Sequence, residues 1–75
     1  MTIESLNNVV NSTPFRLFVI HMADGRAFVV PHRDFIAFKP QGRTALLYHL
    51  TDEGWDVIDL LLAVSIEVPE QAAAR

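Results

Sequence analysis

The stretch Phe15-Arg16-Leu17-Phe18-Val19-Ile20-His21-Met22-Ala23-Asp24-Gly25-Arg26-Ala27-Phe28-Val29-Val30 decides the fold. It reads as two β-strands joined at Asp24-Gly25, a strong short-range hairpin signal. Its register can be argued from the pattern. A two-residue loop puts Phe28 opposite His21. A three-residue loop with Gly25 in the left-handed region pairs Met22 with Arg26, Ile20 with Phe28 and Phe18 with Val30. The second choice gathers Phe18, Ile20, Met22, Phe28 and Val30 on one face, and hydrophobic patterning selects register. The other face, with Leu17, Val19, Ala27 and Val29, is also apolar, so both faces are expected to be covered.

Outward from this hairpin the chain repeats the theme. Residues 2–12 predict a helix: Thr2 suits an N-cap, Glu4 sits in the first turn, and Ile3, Leu6, Val9 and Val10 form one apolar stripe. Pro14 stops it by forcing Thr13 out of the helical region. After the hairpin, Pro31-His32-Arg33-Asp34 interrupts the sheet. Strands are predicted over 35–39 and 44–50, joined by the turn Pro40-Gln41-Gly42-Arg43, where proline presets one φ and glycine offers a positive one. Thr51-Asp52-Glu53-Gly54 is a further turn. Residues 55–58 read as a short strand or the continuation of one. Asp59-Leu60-Leu61-Leu62 reads as a single helical turn or an extended corner. A final strand covers 63–68, and Pro69 ends it. Short strands with close-spaced Gly and Pro turns indicate a sandwich or barrel, and this chain is too small for a sandwich. The expected fold is mainly β: a short N-terminal helix, then a five-stranded, strongly bent antiparallel sheet or small barrel of Sm-like or SH3-like type. Residues 1–69 form its one domain and 70–75 a flexible tail.

Size and composition bound the rest. A 75-residue chain buries only about 60% of the surface its unfolded form exposes, so its stability is marginal. It has no cysteine, which removes disulfides and thiolate metal sites as staples. It is nonetheless 51% hydrophobic, and the surplus reads as apolar surface meant for another subunit. The N-terminus lacks the pattern of a signal peptide, and no run approaches the roughly 18 apolar residues of a membrane span. A cytoplasmic protein without membrane contact is expected. Net charge is −3, which weighs against a phosphate-backbone binder. Arg26, Arg33, Lys39 and Arg43 fall together, opposed by Asp34. Asp52, Glu53, Asp56, Asp59, Glu67 and Glu70 follow with no Lys or Arg among them. Mixed charge of this kind ordinarily marks solvated strand edges and turns; the sharper reading is a basic face meeting an acidic face of the next subunit, in a head-to-tail ring.

Candidate chemistry is sparse. His21, His32 and His49 lack tight ligand spacing; His32 with Asp34 would share a face of an extended segment, the one arrangement that could begin a metal site. Asp59, between Ile58 and Leu60, is the best placed carboxylate for acid–base work, although Asp in such a setting more often binds backbone N–H groups of a turn. Ser12, Thr13 and Ser65 carry no nucleophile signature, and Gly25, Gly42 and Gly54 stand singly, so there is no phosphate-cradling loop. No cofactor is expected, and no enzymatic activity. Phe35, Phe38, Tyr48 and Trp55 could form a base-stacking platform, or pack in the core or at an interface. Arg33, Lys39 and Arg43 are the candidate anion- or RNA-binding cations.

The order of elements resembles the Sm-like fold, including Hfq-like chains. The final strand Val64-Ser65-Ile66-Glu67-Val68-Pro69 is similar to theirs in its alternating aliphatics and closing proline, and Ala23-Asp24-Gly25 sits where they carry an Asn-Gly or Asp-Gly turn. The similarity spans most of residues 2–69. The whole chain also resembles a group of short bacterial proteins of unassigned function, through Pro14-Phe15-Arg16, Ala23-Asp24-Gly25-Arg26, Pro31-His32-Arg33-Asp34-Phe35, Gly42-Arg43 and Ile58-Asp59-Leu60-Leu61. The Sm-like resemblance implies subunits that pair edge strands around a ring, which also covers exposed edges. It does not carry over the RNA pocket. Where Hfq-like chains place a Lys-His pair before the last strand, this chain has Ile58-Asp59-Leu60, and an Asp repels phosphate. Where Sm proteins place Asp-x-Asn, it reads Asp34-Phe35-Ile36. The expectation is a non-enzymatic, self-assembling small-barrel interaction module forming a homo-oligomer through edge strands. The alternative is an Sm-like RNA-binding protein with an atypical pocket.

Overall fold

The computed structural model describes residues 2–39 and 41–70. Helix α1, Ile3–Val10, opens the chain. The Thr2 hydroxyl caps it, accepting from the Ser5 N–H at 3.1 Å, which satisfies one of the first-turn donors. It ends two residues earlier than predicted. Asn11 and Ser12 form the exit turn, with the Asn11 N–H on the Asn7 carbonyl and the Ser12 N–H on that of Val9.

Six strands follow in two antiparallel sheets of three. The first holds β1 (Phe18–Met22), β2 (Ala27–Val30) and β6 (Ala63–Glu67), with β1 central. The second is a meander of β3 (Ile36–Phe38), β4 (Thr44–Tyr48) and β5 (Trp55–Asp59), with β4 central. The mainly β class with one short helix is as the sequence predicts. The single five-stranded sheet or closed barrel is not: the described residues form six strands, and these do not close. Two features account for the difference. Residues 55–59 make a full strand, paired with β4 along its length from Tyr48↔Trp55 to Thr44↔Asp59. The sheet also breaks at Pro31, which has no N–H to give a ladder; a single 3-10 turn, Arg33–Phe35, then carries the chain into the second sheet. A matching 3-10 turn, Leu60–Leu62, carries it back.

The hairpin register is the one that patterning selects. Phe18 faces Val30 and Ile20 faces Phe28, the Met22 N–H bonds to the Arg26 carbonyl, and Gly25 has φ +94°. Among the described glycines only Gly25 is left-handed, so Gly42 does not use the positive φ expected of it. The turn after β3 closes with the Gly42 N–H on the Lys39 carbonyl. Pro40, expected to open that turn, lies outside the described residues, as do residues 71–75 of the predicted tail. On the other side of β1 the pairing slips: Ser65 faces His21 but Ala63 faces Met22. Val64 is thus an extra residue bulged from β6.

One apolar cluster joins these parts. Phe18, Ile20, Met22 and Val30 come from the first sheet, Ile36, Ala45, Leu47 and Ile58 from the second, Leu6 and Val10 from α1, and Leu60 and Ala63 from the second corner. Fully burying side chains of this size is worth about 1.5–3 kcal/mol each, so the marginal helix is held by Leu6 and Val10 rather than by its own propensity. The outer faces are not covered as expected. Val29 on the first sheet and Trp55 and Val57 on the second are exposed, as are Leu61, Leu62 and Val64.

Candidate functional site

The candidate site is the outer face of β3, β4 and β5 together with the edge strands beside it. Alternation builds the face. In β4 the buried residues are Ala45 and Leu47, so Thr44, Leu46 and Tyr48 point outward. Pairing places Ala37 beside Leu46, Leu46 beside Val57, and Tyr48 beside Trp55. At one end an open groove of about 590 Å³ is lined by Ala37, Phe38, Leu46 and Val57, with Lys39 and Arg43 at its rim. At the other end Tyr48 and Trp55 stand out, Trp55 58% exposed. The apolar run Ala45-Leu46-Leu47 is the sequence signal for this face: a strand apolar on both sides needs cover on both.

The predicted cations separate. Lys39 and Arg43 share the groove. Arg33 does not belong to it: its Nε donates to the Val10 carbonyl at 3.0 Å and its terminal NH2 to that of Ser12 at 2.8 Å, while the guanidinium lies over the Phe15 ring at 5.2 Å. It serves the C-terminus of α1, which has no cation of its own in the last turn. Arg43 is itself paired, donating to the Asp59 carboxylate at 3.0 Å. The predicted aromatics separate too. Tyr48 and Trp55 are exposed, whereas Phe35 and Phe38 are half-buried against the core.

Asp59 holds the second corner. One carboxylate oxygen accepts from Arg43 and the other from the Leu61 N–H at 3.0 Å. The Arg43 guanidinium, helped by that N–H, keeps its pKa below the ordinary 3.8. A carboxylate held ionised in this way is the opposite of a general acid; Asp59 caps a turn. The Leu60 N–H completes the corner by bonding to the Arg43 carbonyl.

Sequence reasoning missed the His49 cluster. His49 Nε2 lies 2.8 Å from Asp56 and Nδ1 2.7 Å from Asp52. The two carboxylates, Asp56 first, raise the imidazole pKa above 6.5. Asp52 in turn accepts the Gly54 N–H, which together with His49 holds its own pKa below 3.8. The turn fits tightly: a Cβ on Gly54 would lie 2.9 Å from the His49 ring. The signal was the four-residue turn itself, since pairing Tyr48 with Trp55 brings His49 beside Gly54 and within reach of Asp56. The other histidines are placed differently. His21 Nε2 is 2.9 Å from Glu67, and His32 stacks on Phe15 with centroids 6.4 Å apart. Among the described residues no group of three or more His, Asp or Glu side chains is arranged to hold a metal ion, and no helix is long and apolar enough to cross a membrane.

Comparison with known proteins finds no matching family model, no matching characterised protein and no matching solved structure.

Proposed function

We propose that the chain is a non-enzymatic interaction module of Sm-like type that assembles with copies of itself through its sheet edges. One observation carries this: β5 and β6 each end a sheet, and exposed apolar side chains gather on and between them. Leu61 and Leu62 lie in the corner between them and Val64 on β6. An unpaired strand edge is a template for another strand. The other two edges, β2 and β3, are four and three residues long, a common way of blunting an edge. Two different edges on one subunit make a heterologous contact, which closes into a ring when the rotation allows. Support for the Sm-like assignment comes from the order of parts: helix first, an Asp-Gly hairpin, a tight turn before the last strand, and that strand returning to β1. The non-enzymatic reading is supported by the titratable groups, since Asp59 and His49 are both engaged in turns.

Native mass spectrometry of protein purified at low salt tests this. A closed oligomer without added mass is expected, and Val64→Lys, which sets a charge on the β6 edge, should break the ring into smaller species. A bare monomer at every concentration overturns the proposal. An oligomer carrying nucleotide mass would transfer it to RNA binding, a reading that the engagement of Arg33 and Arg43 within the fold disfavours.

A further inference from the structure

The outer face of β3, β4 and β5 is two-ended. At one end lies the groove, with Ala37, Leu46 and Val57 along it and Lys39 and Arg43 at the rim. At the other, Tyr48 and Trp55 protrude, and the turn beyond carries Asp52 and Glu53. Strand β4 joins the ends. From Thr44, beside the groove, to Tyr48 is about 13 Å at the usual rise of a strand.

We propose that this face binds the same face of a second copy about a twofold axis through its middle, so that each copy's Trp55 enters the other's groove and each Asp52–Glu53 turn meets the other's Lys39 and Arg43. A twofold contact requires a patch that complements itself after a half-turn. Here hollow and protrusion lie at opposite ends, and so do the charges. The groove end holds Lys39, Arg43 and Asp59, with a positive balance. The aromatic end carries Asp52 and Glu53 on its turn, and its balance is negative. A half-turn therefore sets positive on negative at both ends, whereas a parallel stack would set like on like. An aromatic anchor seated in an apolar pocket is the kind of contact that dominates interfaces, and an indole can bury roughly 150–250 Å² there. The contact uses the face of the sheet, not the backbone edge of β5 or β6. It is therefore separable from the edge pairing proposed above.

Trp55 is the only tryptophan of the chain, so its fluorescence reports its own burial. Stepwise dilution of the full chain should shift its emission to the red as the face contact comes apart, and in the edge-blocked Val64→Lys variant the mass, followed by sedimentation, should fall from dimer to monomer over the same range. The Val64→Lys variant, with its edge blocked, should keep both the dimer and the shift. Lys39→Glu and Glu53→Lys each change an exposed side chain and should each weaken the dimer roughly tenfold, as reversal of a complementary charge does. Combining the two reversals in one chain should restore it. The proposal is overturned if emission is independent of concentration, if Val64→Lys abolishes the shift, or if the double reversal is no tighter than the single ones.

Discussion

The guanidinium of Arg33 donates from Nε to the backbone carbonyl of Val10 at 3.0 Å, closing the last turn of α1 from 23 positions further along the chain. Arg33→Ala should therefore loosen the helix, with a loss of about 1 kcal/mol or more for a charged donor. Arg33→Lys should recover only part, because one ammonium cannot span both the Val10 and Ser12 carbonyls. Amide exchange across residues 6–12 checks this: faster exchange in the alanine variant is expected, with the β1–β2 hairpin unaffected.

His49 gives the β4–β5 turn a pH dependence of definite sign. Its pKa is raised in the folded chain by Asp56 and Asp52. Its contribution is fully present below the unfolded value of 6.5 and is lost as pH rises through the higher folded value. Asp52 behaves oppositely. Its pKa is lowered, so its contribution holds above 3.8 and is lost as pH falls through the lower folded value. The turn should be firmest between these limits. An NMR titration of the His49 ring should find its pKa above 6.5, and Asp56→Asn should bring it down.

The second corner depends on one carboxylate. Asp59→Asn keeps the turn acceptor for the Leu61 N–H but removes the charge facing Arg43, whereas Asp59→Ala removes both. The alanine variant should lower the melting temperature more than the asparagine one. With Arg43→Ala already in place, the difference between asparagine and wild-type aspartate should shrink toward zero, because their shared partner is gone.

Gly25 is constrained by conformation, not by space: φ is +94°, and a Cβ there would meet nothing within 4 Å. Gly25→Val should cost about 1–2 kcal/mol, and Gly25→Asn less, since asparagine tolerates positive φ. Equal losses for the two, measured by chemical denaturation, would show that φ is not what matters at this turn.

What could be read in the sequence was what neighbours along the chain decide. The register of Phe18 with Val30 followed from alternation and Asp24-Gly25, the α1 stripe from its period, and the turn-capping character of Asp59 from its residue type. What could not be read depends on distant partners. Arg33 looked like a free cation because Val10 and Ser12 are not its sequence neighbours. Residue type alone left Phe38 between platform and core, and Lys39 and Arg43 were grouped with a cation that belongs elsewhere. The strand count failed at residues 55–59, because only pairing with β4 makes them a strand in their own right.

The central place of β1 has a consequence for the order in which the molecule can be made. Its partner on one side, β2, arrives at once, across four residues. Its partner on the other side, β6, comes after the other described strands; His21 meets Glu67 across 46 positions. During translation the β1–β2 hairpin and the β3–β5 meander can each form from local contacts, but β1 keeps a bare flank until the final strand emerges. A nascent chain ending at Leu62 would expose that flank, with Ile20 and Met22 lacking Ile66 and Ala63 beside them. Completion of the fold thus waits on β6, since long-range pairing waits on loop closure.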